Sequence, residues 1–124
     1  MTTERTFDSN PQGMLDAQAF LEGFCDHPKA AVIHDEIVSN IIRCSGTKTF
    51  SVKFVQEGGE LTMVYIDSGK PFNPLTDAVD PDVTAAMDER EVGGLGIFMV
   101  KKMSKSVEYV REGDKNILTV KVAV

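Results

Sequence analysis

The chain has 124 residues, 42% of them apolar and 26% charged, with a net charge of −6. That is the size and make-up of a single globular domain, residues 1–124, with enough chain to bury a real core. The negative balance argues against nucleic acid as a partner, because backbone binding needs a basic face, and no apolar run approaches the roughly 20 residues that span a bilayer. The first residues, Met1-Thr2-Thr3-Glu4-Arg5, lack the basic-then-apolar order of a signal peptide, so the expected location is the cytoplasm, without membrane attachment. Cys25 and Cys44 have no zinc-ligand spacing and read as small core residues.

Thr3 to Asp8 reads as a short edge strand. Asp8-Ser9-Asn10-Pro11 then offers a capping side chain beside a proline suited to a first helical turn. Met14, Ala17, Leu21 and Phe24 recur at helical spacing, which predicts an amphipathic helix over 11–25. His27-Pro28 breaks it, and a second helix is expected from about Lys29 to Cys44, with Ile33, Ile37 and Ile41 on one stripe. Ser45-Gly46 ends that helix.

The period then changes to two. Phe50, Val52 and Phe54 alternate with Ser51 and Lys53, Glu57-Gly58-Gly59-Glu60 makes a turn, and Leu61 to Ile66 returns as a strand. Residues 68–92 show no period, and acid is concentrated between Asp77 and Glu91, where Asp77, Asp80, Asp82, Asp88, Glu89 and Glu91 face one base, Arg90. A loop of that length is usually functional, though an acidic run is also simply a solvated surface; a short helix near Val83 to Met87 fits within it. Leu95 to Met103 is predicted helical, with Ile97, Val100 and Met103 inward. Val107 to Arg111 and Ile117 to Val124 close the chain as a hairpin across Gly113-Asp114. The order β-α-α-β-β-loop-α-β-β predicts an α+β, two-layer sandwich: a mostly antiparallel mixed sheet with helices on one face.

Three pieces carry chemistry. Glu36 and Asn40 are four apart on a helix and share a face. An amide oxygen suits a hard ion such as Mg²⁺, and a carboxylate one turn away can accept a proton; the plain alternative is an ordinary surface pair. Asp67 ends a strand, where its carboxylate can accept from an exocyclic amine, and Gly69 permits positive φ and close approach of a flat base; Asp-Ser-Gly is equally good turn chemistry. Gly93-Gly94-Leu95-Gly96 precedes a helix, where backbone N–H groups converge on an anion, or where a hinge ends the loop. This is neither a Walker A loop nor a dinucleotide fingerprint, since no Gly-Lys-Ser/Thr follows and no βαβ unit surrounds the glycines.

In their order and spacing these pieces resemble the N, G1 and G2 boxes of the GHKL ATPases, which share the Bergerat, histidine kinase-like fold. Within that superfamily the chain looks most like the short bacterial anti-sigma-factor serine kinases. Asp67-Ser68-Gly69-Lys70-Pro71-Phe72-Asn73-Pro74 is similar to their Asp-x-Gly-x-Pro-Phe-Asp-Pro, with Asn73 in place of the more usual aspartate. Gly93-Gly94-Leu95-Gly96-Ile97-Phe98-Met99-Val100 is similar to their helix opening, and Gly113 to Thr119 to their last hairpin.

The resemblance implies ATP and Mg²⁺ as cofactors, Asn40 as metal ligand and Glu36 as base or orienting group for the attacking hydroxyl. It implies that Asp67 reads adenine, Gly69 flanks it, and Gly93, Gly94, Leu95 and Gly96 cradle phosphate. Thr119 would assist Asp67 through water, and residues 70–92 would form an ATP lid. It further implies transfer of the γ-phosphoryl to a serine of a small antagonist (anti-anti-sigma, STAS-type) protein, a sigma factor or equivalent target as second partner, and a homodimer built on residues 3–8 and 11–25. Where the family often has a histidine after the N box, this chain has Arg43-Cys44-Ser45; Arg43 either approaches phosphate or points to water, and water is the expectation. His34-Asp35-Glu36 superficially resembles a phosphoacceptor pair but reads as a surface or partly buried helical histidine, and His27 as a loop residue. The acidic lid opposes a triphosphate, which keeps open a binding module of the same fold without catalysis; a detached histidine kinase ATPase domain is a separate alternative.

Overall fold

The structure, a computed structural model, describes residues 1–73 and 92–124. The possible helix near Val83, and residues 74–91 of the 70–92 segment, lie outside the described residues. The elements are β1 (Thr2–Asp8), α1 (Pro11–Phe24), α2 (Pro28–Asn40), β2 (Thr49–Glu57), β3 (Glu60–Asp67), α3 (Val92–Met103), β4 (Ser106–Glu112) and β5 (Lys115–Ala123), with a π-helical turn over Ile41–Ser45 after α2.

Local chemistry sets the boundaries. Asn10 caps α1 by accepting from the Gly13 backbone N–H at 2.8 Å. A β-carbon on Gly13 would stand 1.6 Å from the Asp8 carbonyl oxygen, so α1 can start this close to β1 only with glycine there. Pro11 and Pro28 open their helices at the position that has no N–H to satisfy. His27 is the residue before α2, and its Nδ1 is buried with no partner among the described residues. The second helix does not run evenly to Cys44 as its spacing predicts: it widens into the π turn after Asn40, and Gly46 ends it at φ 73°. Such single π turns often mark functional positions.

The sheet order is β1-β2-β3-β5-β4. All four pairings among the described residues are antiparallel, in keeping with the mostly antiparallel sheet expected. Inward residues Phe50, Val52, Phe54, Met63, Tyr65 and Val120 are buried while their outward neighbours are partly exposed, which places α1 and α2 on one face. Phe20 of α1 stacks on Phe54 with ring centres 5.0 Å apart, and Phe24 joins from the next turn at 5.4 Å. Val100 of α3 is buried in the same core and Met103 packs against it. Cys25 and Cys44 are free and half-buried rather than fully in the core. No described helix is long and apolar enough to cross a membrane.

The β3–β5 register brings polar side chains together at one end of these two inner strands. Asp67, the last residue of β3, pairs with Asn116, near the start of β5, and Tyr65 pairs with Leu118. Val64 pairs with Thr119. Because side chains alternate faces, Asp67 and Asn116 look toward the helices while Thr119 looks away from them.

Candidate functional site

The ends of β3 and β5 meet the end of α2 at one edge of the domain. Ile37, Asn40 and Ile41 come from the helix side, Tyr65, Asp67, Asn116 and Leu118 from the sheet, and Ser45, Phe72 and Tyr109 complete the wall. The cleft holds about 380 Å³ including its mouth, of which about 20 Å³ is open to the centre of a water molecule. That inner space holds about one water. A flat heterocycle seats here only when a wall side chain moves, and Phe72 and Tyr109 are the half-buried residues of that wall.

Asp67 is 6% exposed. Its Oδ1 accepts from the Gly69 backbone N–H at 2.9 Å and from Asn116 Nδ2 at 2.9 Å. No described residue donates to Oδ2. A buried carboxylate held by one oxygen, with the other spare beside a cleft, is an acceptor for an exocyclic amine.

Gly69 serves this site differently from its sequence reading. Its φ is not positive, and a β-carbon there would lie 2.2 Å from the Ser45 carbonyl oxygen. The space that glycine leaves is filled by the end of the π turn, not by a ligand. Lys70 N–H donates to the same Ser45 oxygen at 2.9 Å, and Arg111 Nη1 donates to the Gly69 carbonyl at 2.9 Å. The segment after β3 is thereby stitched to the π turn on one side and β4 on the other.

Asn40 is buried and its amide is fully oriented. Nδ2 donates to the Glu36 backbone carbonyl at 2.8 Å, and Oδ1 accepts from Arg43 Nη2 at 3.1 Å. Arg43 therefore turns back to Asn40, and also toward Ser39 Oγ at 3.4 Å, rather than simply into water as expected. Asn40 is the last residue of α2 and Arg43 lies three residues on, within the π turn. Glu36 is half-buried one turn before Asn40 and does not wall the cleft. No group of three or more His, Cys, Asp or Glu among the described residues can hold a metal by itself. One hard amide oxygen, with a second lone pair beside the Arg43 bond, fits a Mg²⁺ that takes its other ligands from phosphate and water.

Gly93, Gly94, Leu95 and Gly96 lie inside the first turns of α3, which starts at Val92, rather than before it. Backbone N–H groups of a first helical turn have no intrahelical acceptor, so this placement keeps the donors that an anion needs. Thr119 is a correction: on the outer face of the sheet, opposite Val64, it cannot join Asp67. Asn116 stands in the place of that second polar group. The sequence pattern hides it because Gly113-Asp114 accounts for the hairpin turn. The available signal is the alternation itself, since Leu118, Val120 and Val122 fix Asn116 as inward.

Behind the cleft, His34 is completely buried, not a surface residue. Nε2 lies 2.8 Å from the Ala17 carbonyl and Nδ1 2.8 Å from the Tyr65 hydroxyl. A carbonyl can only accept, so Nε2 carries the proton and Nδ1 accepts from Tyr65. Burial lowers the His34 pKa, opposed by the Ala17 carbonyl and by nearby Asp35; burial, then Asp35, pushes Tyr65 well above the usual phenol value. His34 is thus a neutral brace joining α1, α2 and β3, with no phosphoacceptor role available to it.

The profile of the histidine kinase-like ATPase domain family matches residues 25–122. No curated protein sequence matches significantly. Among solved structures, the chain is similar to the Acinetobacter baumannii histidine kinase AdeS, with TM-score 0.59, 15% identity, and 98% of this chain and 67% of that one covered. It is similar also to the catalytic domain of the histidine kinase ThkA, with TM-score 0.54, 10% identity, and 99% and 95% covered. A histidine kinase domain from Erythrobacter litoralis EL346 aligns at TM-score 0.49 and 12% identity over 77% of this chain, which spans 43% of that chain's length.

Proposed function

The chain belongs to the histidine kinase-like ATPase domain family, and on that premise we propose that it binds Mg²⁺-ATP in the cleft beside Asp67 and acts as a serine protein kinase of the anti-sigma-factor type. The observation that carries the nucleotide reading is buried Asp67, lining the cleft between the end of α2 and the ends of β3 and β5, with an Oδ2 to which no described residue donates. An adenine amino group would donate to that oxygen. Asn40 would hold the metal, which supplies charge neutralisation for the phosphates, and the first turn of α3 would meet phosphate through its N–H groups.

Phosphoryl transfer asks the protein mainly for positioning. The bond from the γ-phosphorus to the bridging oxygen breaks, a bond to the serine oxygen forms, and ADP leaves. The serine proton passes to the Glu36 carboxylate, which sits one turn from Asn40 and outside the base cleft, on the side where phosphates would lie. The serine would belong to a small anti-anti-sigma protein, and a sigma factor or equivalent target would be the second partner, with this chain as a homodimer. These specific partners rest on the motif resemblance.

The test is incubation of the full chain with γ-labelled ATP, Mg²⁺ and an anti-anti-sigma protein from the same genome. Acid-stable label on serine is expected, and Glu36→Gln should keep nucleotide binding while abolishing transfer. Equal loss of both would remove Glu36 from its role, and acid-labile label would indicate histidine as acceptor. A second reading, nucleotide binding without transfer, is favoured by one observation: Arg43 already occupies Asn40 Oδ1. Binding without label transfer selects it.

A further inference from the structure

We propose that Asn116 is the positioning residue that sets which base this cleft accepts, by locking Asp67 in the rotamer that leaves Oδ2 to the cavity. The inference deepens the nucleotide reading above and rests on it.

Asn116 is 4% exposed, and every hydrogen-bonding position of its carboxamide is used. Nδ2 donates to Asp67 Oδ1 at 2.9 Å and to the Lys70 carbonyl at 2.9 Å. Oδ1 accepts from the Phe72 backbone N–H at 3.3 Å and from the Tyr109 hydroxyl. Two donors and two acceptor sites are all that an asparagine has. The set also fixes which end is which: the Lys70 carbonyl can only accept and the Phe72 N–H can only donate, so Nδ2 must face Asp67. Asp67 in turn has the Gly69 N–H on the same Oδ1. Two donors on one oxygen hold the carboxylate against rotation and leave Oδ2 as the oxygen of Asp67 to which no described residue donates.

That restriction has consequences for base choice. Adenine offers an amino donor at position 6 and an acceptor at N1. Guanine offers the reverse at those positions, an oxygen at 6 and N–H donors at N1 and N2. A carboxylate oxygen held in one place can meet the adenine amine but faces the guanine oxygen lone pair to lone pair. A carboxylate free to turn can shift to the guanine N1 and N2 donors with both oxygens. Discrimination therefore depends on what holds Asp67 still, and Asn116 is the only side chain among the described residues that does so. The same amide reaches the backbone of Lys70 and Phe72.

The experiment is calorimetric titration of the full chain with ADP and with GDP, each with Mg²⁺, on wild type, Asn116→Ala and Asn116→Asp, with Thr119→Val as control. Asn116→Asp keeps acceptors for Tyr109 and Phe72 and removes the donors to Asp67 and Lys70. Wild type and the Thr119 variant should prefer ADP, and in a folded Asn116 variant that preference should fall about tenfold or more. A preference unchanged in a folded variant overturns the inference while leaving the nucleotide reading intact. Absence of ADP binding by folded wild type overturns both. If neither variant folds, the side-chain amide resonances of Asn116 in the wild-type chain decide: they should shift on adding ADP, and unmoved signals at saturation would overturn the proposal.

Discussion

Arg43 Nη2 donates to Asn40 Oδ1 at 3.1 Å, so the amide oxygen that would meet Mg²⁺ already faces a cation. The arrangement follows from the π turn after Asn40. Guanidinium and metal would share one neutral oxygen, and their mutual repulsion sets the metal requirement. Arg43 is exposed, so solvent screening makes the effect modest. Arg43→Ala should lower the Mg²⁺ concentration needed for half-maximal ADP binding by about three- to tenfold. The readout is a Mg²⁺ titration at fixed ADP; a rise in that concentration would show that Arg43 instead helps bring in the phosphates.

Gly69 is held against the Ser45 carbonyl, where a β-carbon would sit at 2.2 Å. The obstacle is backbone, which cannot rotate out of the way. Gly69→Ala should cost about 1–3 kcal/mol of stability and weaken ADP binding, because it displaces the N–H that donates to Asp67 Oδ1. Gly23→Ala is the comparison, since nothing lies within 4 Å of a β-carbon there and the position is helical; it should be neutral or slightly stabilising. Thermal melts of the two variants check the contrast.

His34 gives a pH dependence of known sign. Its pKa is lowered by burial from the ordinary 6.5. As pH falls through 6.5 the unfolded chain takes up a proton that the folded chain refuses, so stability is present above that pH and is lost progressively below it. Asp35 and Tyr65 are the ionisable groups facing it, and Tyr65 stays protonated throughout this range. The midpoint of thermal unfolding should fall between pH 7 and pH 5, and His34→Gln, less stable at neutral pH, should show a flatter profile over that interval. An equally steep profile in the variant would assign the effect to other groups.

Much of this architecture is legible from period alone. Phe50, Val52 and Phe54 against Ser51 and Lys53 announce a half-buried strand, and Glu57 to Glu60 a tight turn, because alternation and turn chemistry are local properties. Ala17 and Leu21 likewise mark the inner face of α1. Local pattern does not supply how separate elements meet. The buried place of His34 depends on Tyr65 and Ala17, 31 and 17 residues away along the chain. The need for glycine at 69 depends on Ser45, and the turn of Arg43 toward Asn40 depends on a π turn without a composition signature. Thr119 is different: parity along β5 already excludes it, and the motif match runs against that alternation. The glycines of α3 mislead for the opposite reason, since glycine discourages helix and here the helix includes them.

The central claim is that Asp67 reads an adenine through its spare carboxylate oxygen. Calorimetric titration of Mg²⁺-ADP into wild type and Asp67→Asn, both shown to be folded, tests it most directly. Saturable heat in the wild type and at least tenfold weaker binding in the variant are the predicted result; superimposable titrations, or no heat in the wild type, would contradict it.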